Sequence, residues 1–175
     1  MIEVRNVYKS FNGKEVLKDI SFTFEAGKTN LIIGQSGSGK TVLMKSVIGI
    51  HQVDRGQILY NGRDFTKMSN KEVSLLRQEI GMLFQGSALF DSMTVAENVR
   101  FPLEMFSNKT RKEWEKRVAF CLDRVGLSHA ANLFPSEISG GMQKRAAIAR
   151  AIVLEPTYLF CDEPNSGLDP KTSLT

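Results

Sequence analysis

A chain of 175 residues with 42% hydrophobic and 24% charged residues is long enough for one domain with a real core, and its composition is that of a globular protein rather than a disordered or fibrous one. No apolar run approaches the roughly 18 residues of a membrane-spanning helix, and Met1-Ile2-Glu3-Val4-Arg5 lacks the apolar stretch of a signal peptide, which predicts a cytoplasmic location. The formal charge of +4 is mild and much of it lies in residues 109–124, where six Lys/Arg accompany three Asp/Glu; a solvated helix face accounts for that run better than a nucleic-acid or membrane patch.

The first sixty residues carry strand signals. Ile2–Val7, Val16–Phe24 and Asn30–Ile33 are rich in β-branched and aromatic residues between turn formers. Asn12-Gly13 and Asn61-Gly62 suit tight hairpin turns, since both residue types tolerate positive φ. The third strand runs into Gly34, and Thr41–Ile50 then has helical spacing, with Val42, Leu43, Val47 and Ile48 on or near one face. Ser69-Asn70-Lys71-Glu72 and Thr94-Val95-Ala96-Glu97 are capping-box patterns that open helices. Trp114, Val118, Cys121, Leu122 and Val125 predict an amphipathic helix stopped by Gly126. A further helix covers about Met142–Leu154 and is ended by Glu155-Pro156, and Tyr158–Cys161 is a short apolar strand ending at Asp162-Glu163. Cys121 and Cys161 form no CxxC pair and read as small buried hydrophobes. This order predicts an α/β fold with a largely parallel central sheet and a helical insert.

Gly34-Gln35-Ser36-Gly37-Ser38-Gly39-Lys40-Thr41 matches G-x-x-x-x-G-K-[ST] between a predicted strand and a predicted helix. The glycines let the backbone turn tightly and aim successive N–H groups at one point, which with the positive end of the following helix holds a β-phosphate. Lys40 is expected to span the β- and γ-phosphates and the Thr41 hydroxyl to ligate Mg²⁺, so ATP and Mg²⁺ are the expected ligands. A second strand of such a sheet must present an acidic residue to the metal. Asp162 is placed for that, and Glu163, one residue on, is placed to polarise an attacking water as general base.

Ile138-Ser139-Gly140-Gly141-Met142-Gln143-Lys144-Arg145 resembles the ABC signature LSGGQ, with Ile for Leu and Met for the usual Gln. Ser139, Gly140 and Gly141 open a predicted helix, a ready anion site. The resemblance to ABC transporter ATP-binding subunits extends over essentially the whole chain. It implies an ABC-type P-loop NTPase core with a mostly parallel sheet, an N-terminal antiparallel β-subdomain and an inserted helical subdomain. A single domain is then divided as 1–85, 86–137 and 138–175.

By the same resemblance, Ser139, Gly140 and Gly141 bind the γ-phosphate held by the second subunit of a head-to-tail dimer. Gln85 matches the Q-loop glutamine, sensing Mg²⁺ and γ-phosphate. Ser166-Gly167-Leu168-Asp169 resembles the D-loop, and Phe11 stands where an aromatic stacks on adenine, with Tyr8 as the neighbouring alternative.

The run Phe84–Val95, with Glu97-Asn98-Val99 and Phe101-Pro102-Leu103, is similar to the Mla/Mce-type phospholipid transport ATPases, and Met142 also occurs in that group. This implies a subunit at the cytoplasmic face of the inner membrane, powering a permease that docks near Gln85–Pro102 and working beside an MCE-type substrate-binding protein, with no nucleic acid. The apolar residues there suit a docking groove, or equally the interior of a helical subdomain.

The family's switch histidine follows the D-loop, whereas His51 and His129 both precede it. The resemblance therefore implies a C-terminally truncated member, lacking the last strands, that binds nucleotide and hydrolyses it poorly. The alternatives are a soluble ABC ATPase of DNA repair or translation, or a nucleotide-binding module without turnover.

Overall fold

Ile2, Val4 and Val7 are buried in β1 (Ile2–Phe11), all at most 3% exposed, with an irregularity of the ladder between Val4 and Val7. The computed structural model describes residues 1–84 and 86–162, in two compact units, Met1–Arg77 and the part from Gln78 onward, each taken by itself below.

In the first unit β1 pairs antiparallel with β2 (Lys14–Phe24), from Ile2↔Phe24 to Phe11↔Lys14. The turn between them is Asn12-Gly13, with φ 49° and 78°, as the sequence predicts. On its other edge β1 pairs antiparallel with β3 (Arg55–Tyr60), which turns at Asn61-Gly62 into the short β4 (Arg63–Asp64), so the sheet order is β2-β1-β3-β4. The helix α1 (Lys40–Val47) buries Leu43, Met44 and Val47, and the Tyr60 hydroxyl donates to the Val47 carbonyl at 2.9 Å. Helix α2 (Asn70–Gln78) begins at the predicted box, with Ser69 N donating to Glu72 Oε2 at 2.8 Å.

Asn30–Ile33 departs from its expectation. It enters no ladder among the described residues, and Leu31 and Ile33 are 78% and 84% exposed. Strand propensity is realised only against a neighbouring strand, and no described residue supplies one there. The Asn30 amide instead closes the preceding turn, donating to the carbonyls of Glu25 and Lys28 at 3.0 and 3.1 Å.

The second unit holds a parallel pair, β5 (Ile80–Leu83) and β6 (Tyr158–Cys161), registered Ile80↔Tyr158 to Leu83↔Cys161. Its core gathers Val95, Val99 and Leu103 of α3 (Val95–Phe106), Val118, Cys121 and Leu122 of α4 (Arg111–Arg124), and Ala146 and Ala149 of α5 (Gly140–Ile152). Helix α5 ends hard against β5, because a Cβ on Gly81 would stand 2.4 Å from the Ala151 carbonyl. Two arginines bind α4 and α5 reciprocally: Arg117 donates to the carbonyls of Ile152 and Val153, and Arg145 to that of Val125. Each guanidinium lies at the negative end of the other helix. Cys121 is buried as expected, and burial pushes its thiol up; Cys161 is exposed, contrary to expectation.

The loop after β5 is held from two helices. Arg150 of α5 donates to the carbonyls of Ser87 and Ala88 at 2.7 and 2.8 Å, and both residues have positive φ, 57° and 48°. Asn98 of α3 is fully buried; its amide donates to the carbonyls of Phe90, Met93 and Thr94, and its oxygen accepts from Phe90 N at 2.8 Å. Asn98→Leu, of similar volume, leaves those groups without their partner and is expected to destabilise the chain by about 2–3 kcal/mol. Urea unfolding checks this, as a midpoint lowered by roughly 1 M at an unchanged slope.

Candidate nucleotide-binding site

The phosphate loop lies in the first unit, between the segment after β2 and the start of α1. Gly37 and Gly39 have φ of 76° and 94°, and a Cβ on Gly39 would stand 3.2–3.3 Å from Val16 and Leu17 of β2. Both the backbone angle and the strand beneath therefore demand glycine at 39. Ser38 N donates to Gln35 O at 3.2 Å, and Leu43 N to Gly39 O at 2.8 Å, so the turn passes directly into the helix. Lys40 arches back across the loop, its ammonium donating to the carbonyls of Gly34 and Gln35 at 2.8 and 2.9 Å. Those bonds use two of its three N–H donors and fix it over the mouth of the loop. Gly34, Gln35 and Ser36 precede the helix in the same loop, and Thr41 is the second residue of α1.

Phe11 also belongs to this unit, as the last residue of β1, and is 39% exposed. The His51 ring meets it at a centroid distance of 5.2 Å and an interplanar angle of 73°, and the Lys9 ammonium lies 5.2 Å from its centroid. Tyr8, the alternative, lies beneath the Arg55 guanidinium at 5.7 Å.

The second unit carries the other candidates. Ser139 caps α5, its Oγ accepting from Met142 N at 3.3 Å. Gly140 and Gly141 have no positive φ, and Cβ atoms on them would meet nothing nearer than Ser139 Oγ at 4.0 Å. Neither backbone angle nor internal packing asks for glycine there, so the bare helix end is open to approach from outside. Asp162 follows β6, and its N–H donates to Leu83 O at 2.9 Å, placing the carboxylate just past the ladder. Gln85, Glu163 and the Ser166–Asp169 segment lie outside the described residues.

One electrostatic pattern the sequence reading missed distinguishes these helices. Helices α2, α3 and α4 each carry a glutamate in the first turn, Glu72, Glu97 and Glu113. Hydrogen bonds from Ser69, Thr94 and Thr110 hold these carboxyls below the usual carboxylate range. Helices α1 and α5 carry no acidic residue there. Their positive ends are thus the two that no acidic residue of their own first turn answers, and they are the two at the phosphate loop and at Ser139–Gly141. The absence of Asp and Glu was legible in the sequence once the helix starts were known.

Among the described residues no three or more His, Cys, Asp or Glu converge as a metal cage. The candidate ligands Thr41 and Asp162 offer oxygen, which suits Mg²⁺, an ion that takes few protein ligands and keeps waters and phosphate oxygens. No helix among the described residues is long and apolar enough to cross a membrane.

Residues 17–166 match the family model described as ABC transporter. The chain is 44% identical over 169 residues to the probable ribonucleotide transport ATP-binding protein mkl of Mycobacterium leprae (strain TN), covering 97% of this chain and 49% of that protein. It is 43% identical over 177 residues to the methionine import ATP-binding protein MetN 1 of Staphylococcus aureus (strain USA300), covering 99% and 52%. The chain thus spans about half the length of the curated relatives it matches. Among solved structures it superposes on the dimeric ATP-binding cassette MJ0796 in a post-hydrolysis state bound to ADP and Pi. The TM-score is 0.89 at 30% identity, covering 99% of this chain and 78% of that one.

Proposed function

The chain belongs to the ABC transporter ATP-binding family, and from that premise we propose that it binds and hydrolyses ATP to drive a membrane permease. The observation that carries this reading is the pair of helix starts without acidic residues, one behind Lys40 and one behind Ser139. Each is suited to a phosphate group, and neither alone surrounds one. The reading is completed by two subunits arranged head to tail, the phosphate loop of one facing Ser139, Gly140 and Gly141 of the other. A state with ATP between them then differs in shape from the open one, and binding energy moves the permease through that difference.

Within the site, the Gly34–Thr41 loop holds the phosphates and Lys40 spans the β- and γ-groups. Phe11 stacks on the base. Glu163 accepts a proton from the attacking water, and Gln85 reports the γ-phosphate and metal. Thr41, Gln85 and Asp162 are the residues that would hold Mg²⁺, which would supply neutralising charge to the phosphates. The subunit works at the cytoplasmic face of the membrane, with the permease docking near Gln85–Pro102.

The cargo we propose is a phospholipid or related lipid, delivered together with an MCE-type partner. Its support is the Phe84–Leu103 sequence, which resembles the lipid transport ATPases, and the exposed Phe90, 42% accessible and packed on Phe101 at 4.9 Å. Relatives named for ribonucleotide and methionine transport define the competing cargoes. Phosphate release by the protein assembled with its permease in proteoliposomes tests the choice. Phospholipid loading is expected to raise the rate at least about twofold, while methionine and ribonucleotides leave it unchanged. Stimulation by either of the latter replaces the lipid reading.

A further inference from the structure

Phe11 is the last residue of β1, just before a turn whose two residues both have positive φ, and it is 39% exposed. The sheet therefore fixes its backbone and leaves its ring to be fixed by something else. Two side chains do so. The Lys9 ammonium lies over the ring and is itself held at 2.8 Å by Asp54 Oδ1, whose other oxygen accepts from Ser10 N at 2.6 Å. The second is His51, edge to face with the ring at 5.2 Å.

His51 is carried by the end of α1. Ile50 N and His51 N both donate to the Lys45 carbonyl, at 2.8 and 3.1 Å, so the imidazole is rooted on the helix whose first residue is Lys40. An edge-to-face pair of rings has a defined geometry, unlike a greasy contact between flexible chains.

We propose that His51 is a positioning residue for base recognition: it sets the Phe11 ring in the orientation that stacks on the nucleobase. The helix that grips the phosphates at one end thereby fixes the base platform from the other. This rests on the reading of Phe11 as the base-stacking residue, and His51 acts only through it.

The test is a set of binding titrations on the full chain with ATP and with inorganic tripolyphosphate, which has phosphates and no base. His51→Ala is expected to weaken ATP binding about three- to tenfold, the range of an aromatic pair, and to leave tripolyphosphate binding unchanged. His51→Phe, which restores a ring at that position, is expected to recover the affinity. In a Phe11→Ala background the His51 substitution is expected to have no further effect.

Undiminished ATP affinity in His51→Ala, while Phe11→Ala weakens it, overturns the proposal and leaves the base-stacking reading standing. Equal losses for ATP and tripolyphosphate overturn it too, since the residue would then act on the phosphate helix as a whole. Unchanged ATP affinity in Phe11→Ala removes both the reading and the proposal.

Discussion

Lys40→Ala is expected to weaken ATP binding about a hundredfold or more. The Gly34 and Gln35 carbonyls hold the ammonium over the loop with two of its three donors, so a nucleotide meets a charge already at hand and takes over those donors as it binds. A hydrogen bond to a charged partner contributes about 1.5–3 kcal/mol, and a lysine spanning two phosphates makes more than one. A total near 3–4 kcal/mol corresponds to roughly two to three decades in affinity. Isothermal titration reads it directly. Lys40→Met, which keeps most of the stem, separates the lost charge from a loosened loop: both variants are expected to lose affinity alike. Binding within about threefold of the parent in both would remove the phosphate-loop assignment.

Glu163→Gln is expected to lower phosphate release about a hundredfold while leaving ATP affinity within about twofold. A carboxamide keeps the shape of the side chain and cannot take a proton from water, and general-base catalysis contributes on the order of 10²–10⁴ in rate. The ratio to the parent rate carries the result, so a slow parent does not blunt it provided its turnover depends on Lys40. Equal turnover in parent and variant would pass the role of base to another group. Asp162, whose backbone already continues the β5–β6 ladder, would then be the first residue to substitute.

The features that sequence alone revealed are those whose causes lie within a few residues. The phosphate loop is one uninterrupted stretch of sequence from Gly34 to Thr41. The boxes at Ser69 and Thr94 close between residues three apart, and both hairpin turns are set by two residues each. Asn30–Ile33 failed because a strand is completed by another strand, and its own composition cannot name one. Cys161 failed for the same reason, since the face a short strand buries is decided by what packs on it.

Asn98 and Arg150 were invisible for a different reason. Their partners are backbone groups, carbonyls 62 and 63 residues away for Arg150, and every residue has a carbonyl. Nor did anything in the sequence join Phe11 to His51, which meet only because α1 returns its C-terminal end to the hairpin of β1 and β2.

The missing glutamate at the start of α5 also bears on how this protein is selected. The chain builds a Ser/Thr-x-x-Glu box at Ser69, Thr94 and Thr110. At Ser139 it makes half of the same device, with Met142 where the acid would stand. A helix end completed by its own carboxylate is more stable by some tenths of a kcal/mol to about 1 kcal/mol, and it is also closed to any other anion. Under the proposed reading of Ser139–Gly141 as a phosphate site, the fourth box lies where stability and activity pull in opposite directions, and leaving it incomplete favours activity. Mutational drift toward a more robust fold would be expected to complete that box, and purifying selection to keep it open.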